Sequence, residues 1–163
     1  METIIIDAYN LMHKVTELRI LLAQSQEICV DTMIEKLRSH FWGKGIKCIL
    51  VFDGFGQNKH ENNINVKFSK TGVGPDYGNA DGLIKHLIEK SKNPKLIKVV
   101  SSDREVSSFA KECGSRILSS EGFWGEVRDR RTERNDAYRE SKEKPAIVTR
   151  TEFDFLLKEF TKK

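Results

Sequence analysis

A chain of 163 residues, 38% apolar and 32% charged, fits one domain whose core needs no disulfide or metal staple. Its longest apolar runs are a few residues, too short to cross a membrane, and its N-terminus lacks the basic and apolar regions of a signal peptide, so the expected location is the cytoplasm. A net charge of +4 permits a polyanionic partner without demanding one, and Cys29, Cys48 and Cys113 suit buried reduced thiols rather than a disulfide framework or a zinc site.

The first predicted element is the β-branched run Ile4-Ile5-Ile6, a strand buried on both faces that ends at Asp7 and is followed by Tyr9 and Asn10. From Glu17 to Trp42, apolar residues recur at three- and four-residue spacings, among them Leu18, Leu21, Leu22, Met33, Ile34, Leu37 and Phe41. This predicts one helix, or two with a break near Ala23–Ser25, ended by Gly43 and Gly45. A second apolar run, Lys47–Phe52, stops at Asp53-Gly54, and the helical segment between makes the two strands parallel. Residues 55–63 read as a loop carrying Lys59 and His60. Ile64–Phe68 alternates with period two, as an edge strand does. After a Gly-rich loop over 69–78, Asn79 caps a helix with Asp81 in its first turn. The strand Leu96–Val100 leads into Ser101-Ser102-Asp103-Arg104-Glu105, which scans as a capping box with Ser102 as the cap, and a helix to Glu112 follows. Arg116–Leu118 is a fifth strand.

Alternation of strands with helices predicts an α/β domain of three layers, with a mainly parallel central sheet of about five strands flanked by helices. The domain is expected over residues 1–125. A charged helix or linker spans 126–148, ended by Pro145, and a closing helix over 149–163 starts at the capping-box-like Thr151-Glu152-Phe153-Asp154. Trp42 and Trp124 are expected as core or rim packing, and His13 and His60 as surface residues.

Asp7, Asp53 and Asp103 each follow an apolar strand, and Asp81 opens a helix. In a parallel sheet the strand C-termini share one edge, so the four carboxylates are expected to face a common crevice. Four acids without cations repel one another, and a divalent ion relieves that cost; hard oxygen ligands with room for water favour Mg²⁺ or Mn²⁺. Such ions clamp the oxygens of a phosphodiester under hydrolysis. Lys70 and Arg104, with Lys59 and His60, lie in or beside the same edge loops and can hold phosphates. Tyr9 suits base stacking and packing equally well. Any one of these acids alone is more often a turn or helix cap than a ligand.

Ile5-Ile6-Asp7-Ala8-Tyr9-Asn10, Val51-Phe52-Asp53-Gly54, Val66-Lys67-Phe68-Ser69 before Asn79-Ala80-Asp81, and Ser101-Ser102-Asp103-Arg104-Glu105 together resemble the YacP-like branch of the NYN/PIN-like ribonucleases. The order and spacing match over residues 1 to about 125, and Ser119-Ser120-Glu121-Gly122-Phe123 extends the likeness. The resemblance implies a Rossmannoid, PIN-like sheet, bound Mg²⁺ or Mn²⁺, and RNA cleavage by an activated water, endonucleolytic in preference to exonucleolytic. It implies Asp7, Asp53, Asp81 and Asp103 as catalytic and metal-binding acids and Asn10 as an orienting amide. Tyr9, Lys70, Ser102 and Arg104 join Asn10 as candidate substrate contacts. RNA is the implied partner, with the ribosome or a translated mRNA as a further candidate. Two departures stand out: Ala8 replaces the usual Gly, and Gly82 follows Asp81 where many relatives carry a polar or acidic residue. They motivate an alternative, an RNA- or ribosome-binding module of the same fold with weak or no catalysis. A dehalogenase-type phosphatase is set aside because Tyr9 stands where its second Asp belongs, and a receiver domain because only Asp7 follows the first strand. A DNA-directed flap nuclease is disfavoured by the short chain.

Overall fold

The computed structural model describes residues 1–129, and these make one unit. The first strand, β1 (Thr3–Asp7), is buried on both faces as its run of isoleucines predicts: Ile4 and Ile6 point into one core and Ile5 into the other. A short helix, α1 (Ala8–Lys14), follows without a linker, because the Asp7 side chain accepts from the Asn10 amide and so caps it. The sequence reading passed over this helix and began the helical segment at Glu17. That segment is two helices, α2 (Thr16–Gln24) and α3 (Gln26–Phe41), broken at Ser25, whose side chain caps α3.

Next come β2 (Lys47–Phe55), β3 (Lys59–Glu61) and β4 (Ile64–Lys70). The helix α4 (Ala80–Glu89) is capped by Asn79 as expected. It is followed by a 3₁₀ turn at Pro94–Leu96, β5 (Ile97–Val100), α5 (Arg104–Glu112) and β6 (Arg116–Leu118). Residues 120–129 are helical to the limit of the described chain, here α6, with Ser119 Oγ accepting from the Gly122 amide at its start.

The strand order is β3-β4-β2-β1-β5-β6, and all neighbours are parallel except the β3–β4 pair. The expected α/β architecture therefore holds, with six strands instead of about five. The extra one corrects two local readings. Residues 59–61 are a strand and not loop, and β4 is not an edge, since β3 covers its outer side. The reason is a tight reversal at Asn62, which takes a left-handed φ of 53° that Asn tolerates and lets Glu61 pair with Ile64.

Two cores lie on opposite faces of the sheet. One joins β1, β2 and β4 to α1, α2, α3 and α6 through residues such as Leu11, Met33, Leu50, Phe123 and Trp124. The other joins Ile5, Ile49, Val51 and Val99 to α4 and α5 through Leu83, Ile84, Val106 and Ala110. Trp124 is core, as expected, and Val127 is buried too, so the packed unit runs to residue 129. Trp42 departs from expectation: at the turn after α3 it is 68% exposed. Cys29 and Cys48 are buried, and burial pushes the Cys48 thiol up to about 12. The capping-box-like segment at Thr151 and the closing helix over 149–163 lie outside the described residues, as does most of the charged stretch.

Candidate functional site

From β1 the chain builds the sheet outward in one direction through β2 and β4, then returns to build β5 and β6 on the other side. The strand order therefore reverses between β1 and β5. Beyond the strand C-termini at such a reversal, the loops diverge and leave a crevice where α/β sheets bind ligands. Asp7 ends β1, and Asp103 stands just past β5.

Both acids are helix caps. Asp7 Oδ1 accepts from Asn10 N at 3.2 Å, and Asp103 Oδ1 accepts from Val106 N at 3.0 Å. Asp103, and not Ser102, is thus the cap of α5. Ser102 is displaced from that role because its hydroxyl donates to Glu121 Oε2 at 2.9 Å and accepts from Ser120 N at 3.2 Å. Neither Asp7 Oδ2 nor Asp103 Oδ2 takes a hydrogen bond among the described residues. Asp53 lies on the exposed end of β2, where its Oδ1 accepts from Gly54 N at 2.9 Å and from Ser69 Oγ at 3.0 Å. Ser69, wholly buried at the end of β4, positions that carboxylate, a role that no local pattern in the sequence marks. Asp81 sits in the first turn of α4, half-buried.

The four carboxylates feel one another. Burial drives the Asp7 carboxyl up to about 6, opposed by the Asn10 amide and reinforced by the charges of Asp81, Asp103 and Asp53. The Asp81 carboxyl is also raised, by burial first and then by Asp103 and Glu105, with Lys85 in partial compensation. Lys85 itself pairs with Glu105 across α4 and α5. Glu105, read in sequence only as a helix-cap partner, therefore adds a fifth acid to the rim.

The donor set is all hard oxygen, and Lys85 offsets its negative charge only in part, which suits a divalent cation. Yet no three His, Cys, Asp or Glu side chains among the described residues are placed to ligate one ion together. An ion at this edge would therefore take at most two of these carboxylates directly, with waters completing its shell.

The other expected residues divide. Asn10 Oδ1 accepts from Ser102 N at 2.9 Å and from Ser120 Oγ at 2.8 Å, so this amide ties α1 to the β5 loop and to α6. Its Nδ2 makes no hydrogen bond among the described residues. Tyr9 packs edge-on against Phe52 at 5.6 Å, and its hydroxyl accepts from Gln26 at 2.8 Å, which is the packing alternative. Arg104 is exposed at the start of α5, and Lys70 ends β4, both at the acid edge. Lys59 and His60 are not there. β3 runs back antiparallel from that edge, with Lys59 opposite Val66 and His60 bonded to Asn65. Lys59 instead lines a cleft of about 310 Å³ between α3 and the β3–β4 hairpin, with Asp31, Glu35, Arg38 and Glu61.

Both departures have structural explanations. Ala8 is buried and carries no left-handed φ, so a methyl is accommodated there. At Gly82 an added Cβ would lie 2.1 Å from the Tyr77 carbonyl oxygen, so the loop crossing over α4 leaves room for glycine alone.

A three-layer α/β sheet with acids gathered at its reversal point defines a Rossmannoid domain of the PIN-like kind. The domain family described as YacP-like NYN domain matches residues 4–159, and the chain belongs to that family. Among solved structures it is similar to Rae1 (YacP) from Bacillus subtilis, with 25% identity, a TM-score of 0.67, and 98% of this chain and 92% of that one covered. It is likewise similar to the W164L mutant of the same protein, with 26% identity, a TM-score of 0.69 and coverage of 89% and 87%. No curated protein matches the chain by sequence.

Proposed function

We propose that this chain is a metal-dependent ribonuclease that hydrolyses RNA phosphodiester bonds internally, at the edge formed by Asp7, Asp53, Asp81 and Asp103. The observation that carries this reading is the Asp7 carboxyl, buried and raised further by the charges of Asp81, Asp103 and Asp53. Like charges buried together at a ligand-binding edge are costly to a fold, and a function that brings Mg²⁺ or Mn²⁺ there accounts for them. Membership of the YacP-like NYN family supports the same chemistry.

Asp7 and Asp103 would hold the ion through their open Oδ2 atoms, with Asp53 and Asp81 acting on its water shell. When bound, a divalent ion polarises a phosphate oxygen and favours deprotonation of an attacking water. The chain's own residues do the rest. Ser69 and the Gly54 amide fix the Asp53 carboxylate, the α1 and α5 caps fix Asp7 and Asp103, and Asn10 holds their two loops together while offering Nδ2 to the substrate. Arg104 and Lys70 supply positive charge for the phosphates on either side of the scissile bond. The ribosome, or an mRNA under translation, is a candidate setting in which the RNA is presented, and the cytoplasm is the matching location.

The test is cleavage of single-stranded RNA with Mg²⁺ or Mn²⁺, stopped by EDTA. Asp7→Asn and Asp103→Asn should each bring the rate to background. Asn caps a helix as well as Asp does, so the fold should survive. Full activity in either variant would refute the site. The absence of a preformed three-ligand set among the described residues favours one alternative, an RNA- or ribosome-binding module with weak or no turnover. It predicts RNA binding without cleavage, and no heat of Mn²⁺ binding at millimolar concentration.

A further inference from the structure

Phe55 is 77% exposed, an unusual state for a phenyl ring on a strand. Its backbone is nonetheless firmly held. Phe55 pairs with Lys70 across β2 and β4, and Gly56 N donates to Lys70 O at 3.1 Å. Gly56 also lies so close to the Phe68 ring that a Cβ there would meet it at 2.5 Å, which seats this end of β2 on the core. The ring thus stands two residues beyond Asp53, past an irregularity in the β2–β4 pairing where Gly54 takes a φ of 94°, on backbone held again by Lys70. The Lys70 ammonium lies 5.7 Å from its centroid.

An exposed aromatic ring with a cation over one face, close in sequence to Asp53, combines the two elements of single-strand recognition: the face that Lys70 does not cover is a stacking surface for a base, and the ammonium is a charge for the adjoining phosphate. Double-stranded RNA offers no unstacked base to such a ring. We propose that Phe55 is a base-stacking platform for single-stranded RNA, with Lys70 pairing the neighbouring phosphate. This rests on the ribonuclease reading and deepens it: the platform would seat one nucleotide beside Asp53 and select unpaired substrate.

The test is fluorescence anisotropy of a labelled single-stranded RNA oligonucleotide, measured in EDTA so that cleavage does not intervene. Phe55→Leu keeps the apolar surface and removes the aromatic face; it should weaken binding roughly 10-fold, while Phe55→Trp should bind at least as tightly as the wild type. Lys70→Gln should weaken binding and lower the salt dependence by about one phosphate contact. A duplex of the same sequence should not distinguish Phe55→Leu from the wild type. Equal binding by Phe55→Leu and wild type, or equal loss in Phe55→Leu and Phe55→Trp, overturns the platform. Cleavage by the wild type with Mn²⁺, assayed in parallel, reports on the ribonuclease reading separately. Cleavage without any Phe55 effect removes the platform alone, whereas neither binding nor cleavage removes both.

Discussion

Asp7→Asn isolates the electrostatic cost that the acid edge imposes on the fold. In the folded chain the Asp7 carboxyl is raised from 3.8 to about 6, chiefly by burial. A raised acid binds its proton more tightly folded than unfolded, so it stabilises the chain least where both states are ionised. The penalty is small below pH 4, grows mainly between pH 4 and 6, and levels off above about pH 7. A difference of about two pKa units corresponds to roughly 3 kcal/mol at full ionisation, most of it acquired between pH 4 and pH 8. Asn keeps the cap and cannot ionise. Urea denaturation in EDTA should therefore show the stability of Asp7→Asn minus that of the wild type increasing by roughly 2–3 kcal/mol from pH 4 to pH 8. Any fixed cost of burying the amide cancels in that difference. Added Mg²⁺ or Mn²⁺ at pH 8 should stabilise the wild type and close part of the gap, with little effect on the variant. A gap that does not change with pH would refute the argument that burial and like charges raise the Asp7 carboxyl.

Three further outcomes follow from the same geometry. Gly82→Ala places a methyl 2.1 Å from the Tyr77 carbonyl oxygen and should lower the urea-derived stability by about 1–3 kcal/mol, as overpacking does. Asn10→Ala leaves Ser102 N and Ser120 Oγ without their acceptor; it should cost about 1–3 kcal/mol and speed amide hydrogen exchange at Ser102. Thiol titration of the native protein near pH 8 should detect at most Cys113, because Cys29 and Cys48 are buried with raised pKa values, and all three should react after unfolding.

The layered architecture was legible because burial writes itself into residue periodicity. Ile4-Ile5-Ile6 had to be covered on both sides, and the structure divides its three side chains between the two cores. The spacing in 17–42 marked the helical segment and the place of a break, and left open whether it was one helix or two; the structure has two. What was missed lacked a periodic signature. Helix α1 is seven residues long and starts directly on the acid that caps it, so Asp7 read as a strand terminus concealed a helix start. Strand β3 is three exposed residues, Lys-His-Glu, held by backbone pairing to β4, and no apolar pattern marks it. Trp42 was misjudged because hydrophobicity alone does not tell which apolar residue of a turn meets the core.

The acid edge was legible for a different reason: in a parallel sheet, a residue's place at a strand end fixes its place in space. What sequence does not carry is the set of ties that aim those acids. Asn10 meets Ser102 and Ser120 across 92 and 110 positions, and Ser69 reaches Asp53 across 16. No local pattern marks such pairs. The two readings of Asp7 and Asp103, helix cap and metal ligand, competed in sequence because each seemed to use the whole residue. A carboxylate has two oxygens, however, and here Oδ1 serves the helix while Oδ2 is left open. Capping then becomes part of the proposed chemistry. An oxygen tied to a backbone amide fixes the direction of the other, so the caps of α1 and α5 would preorganise the two carboxylates at the point where the sheet reverses.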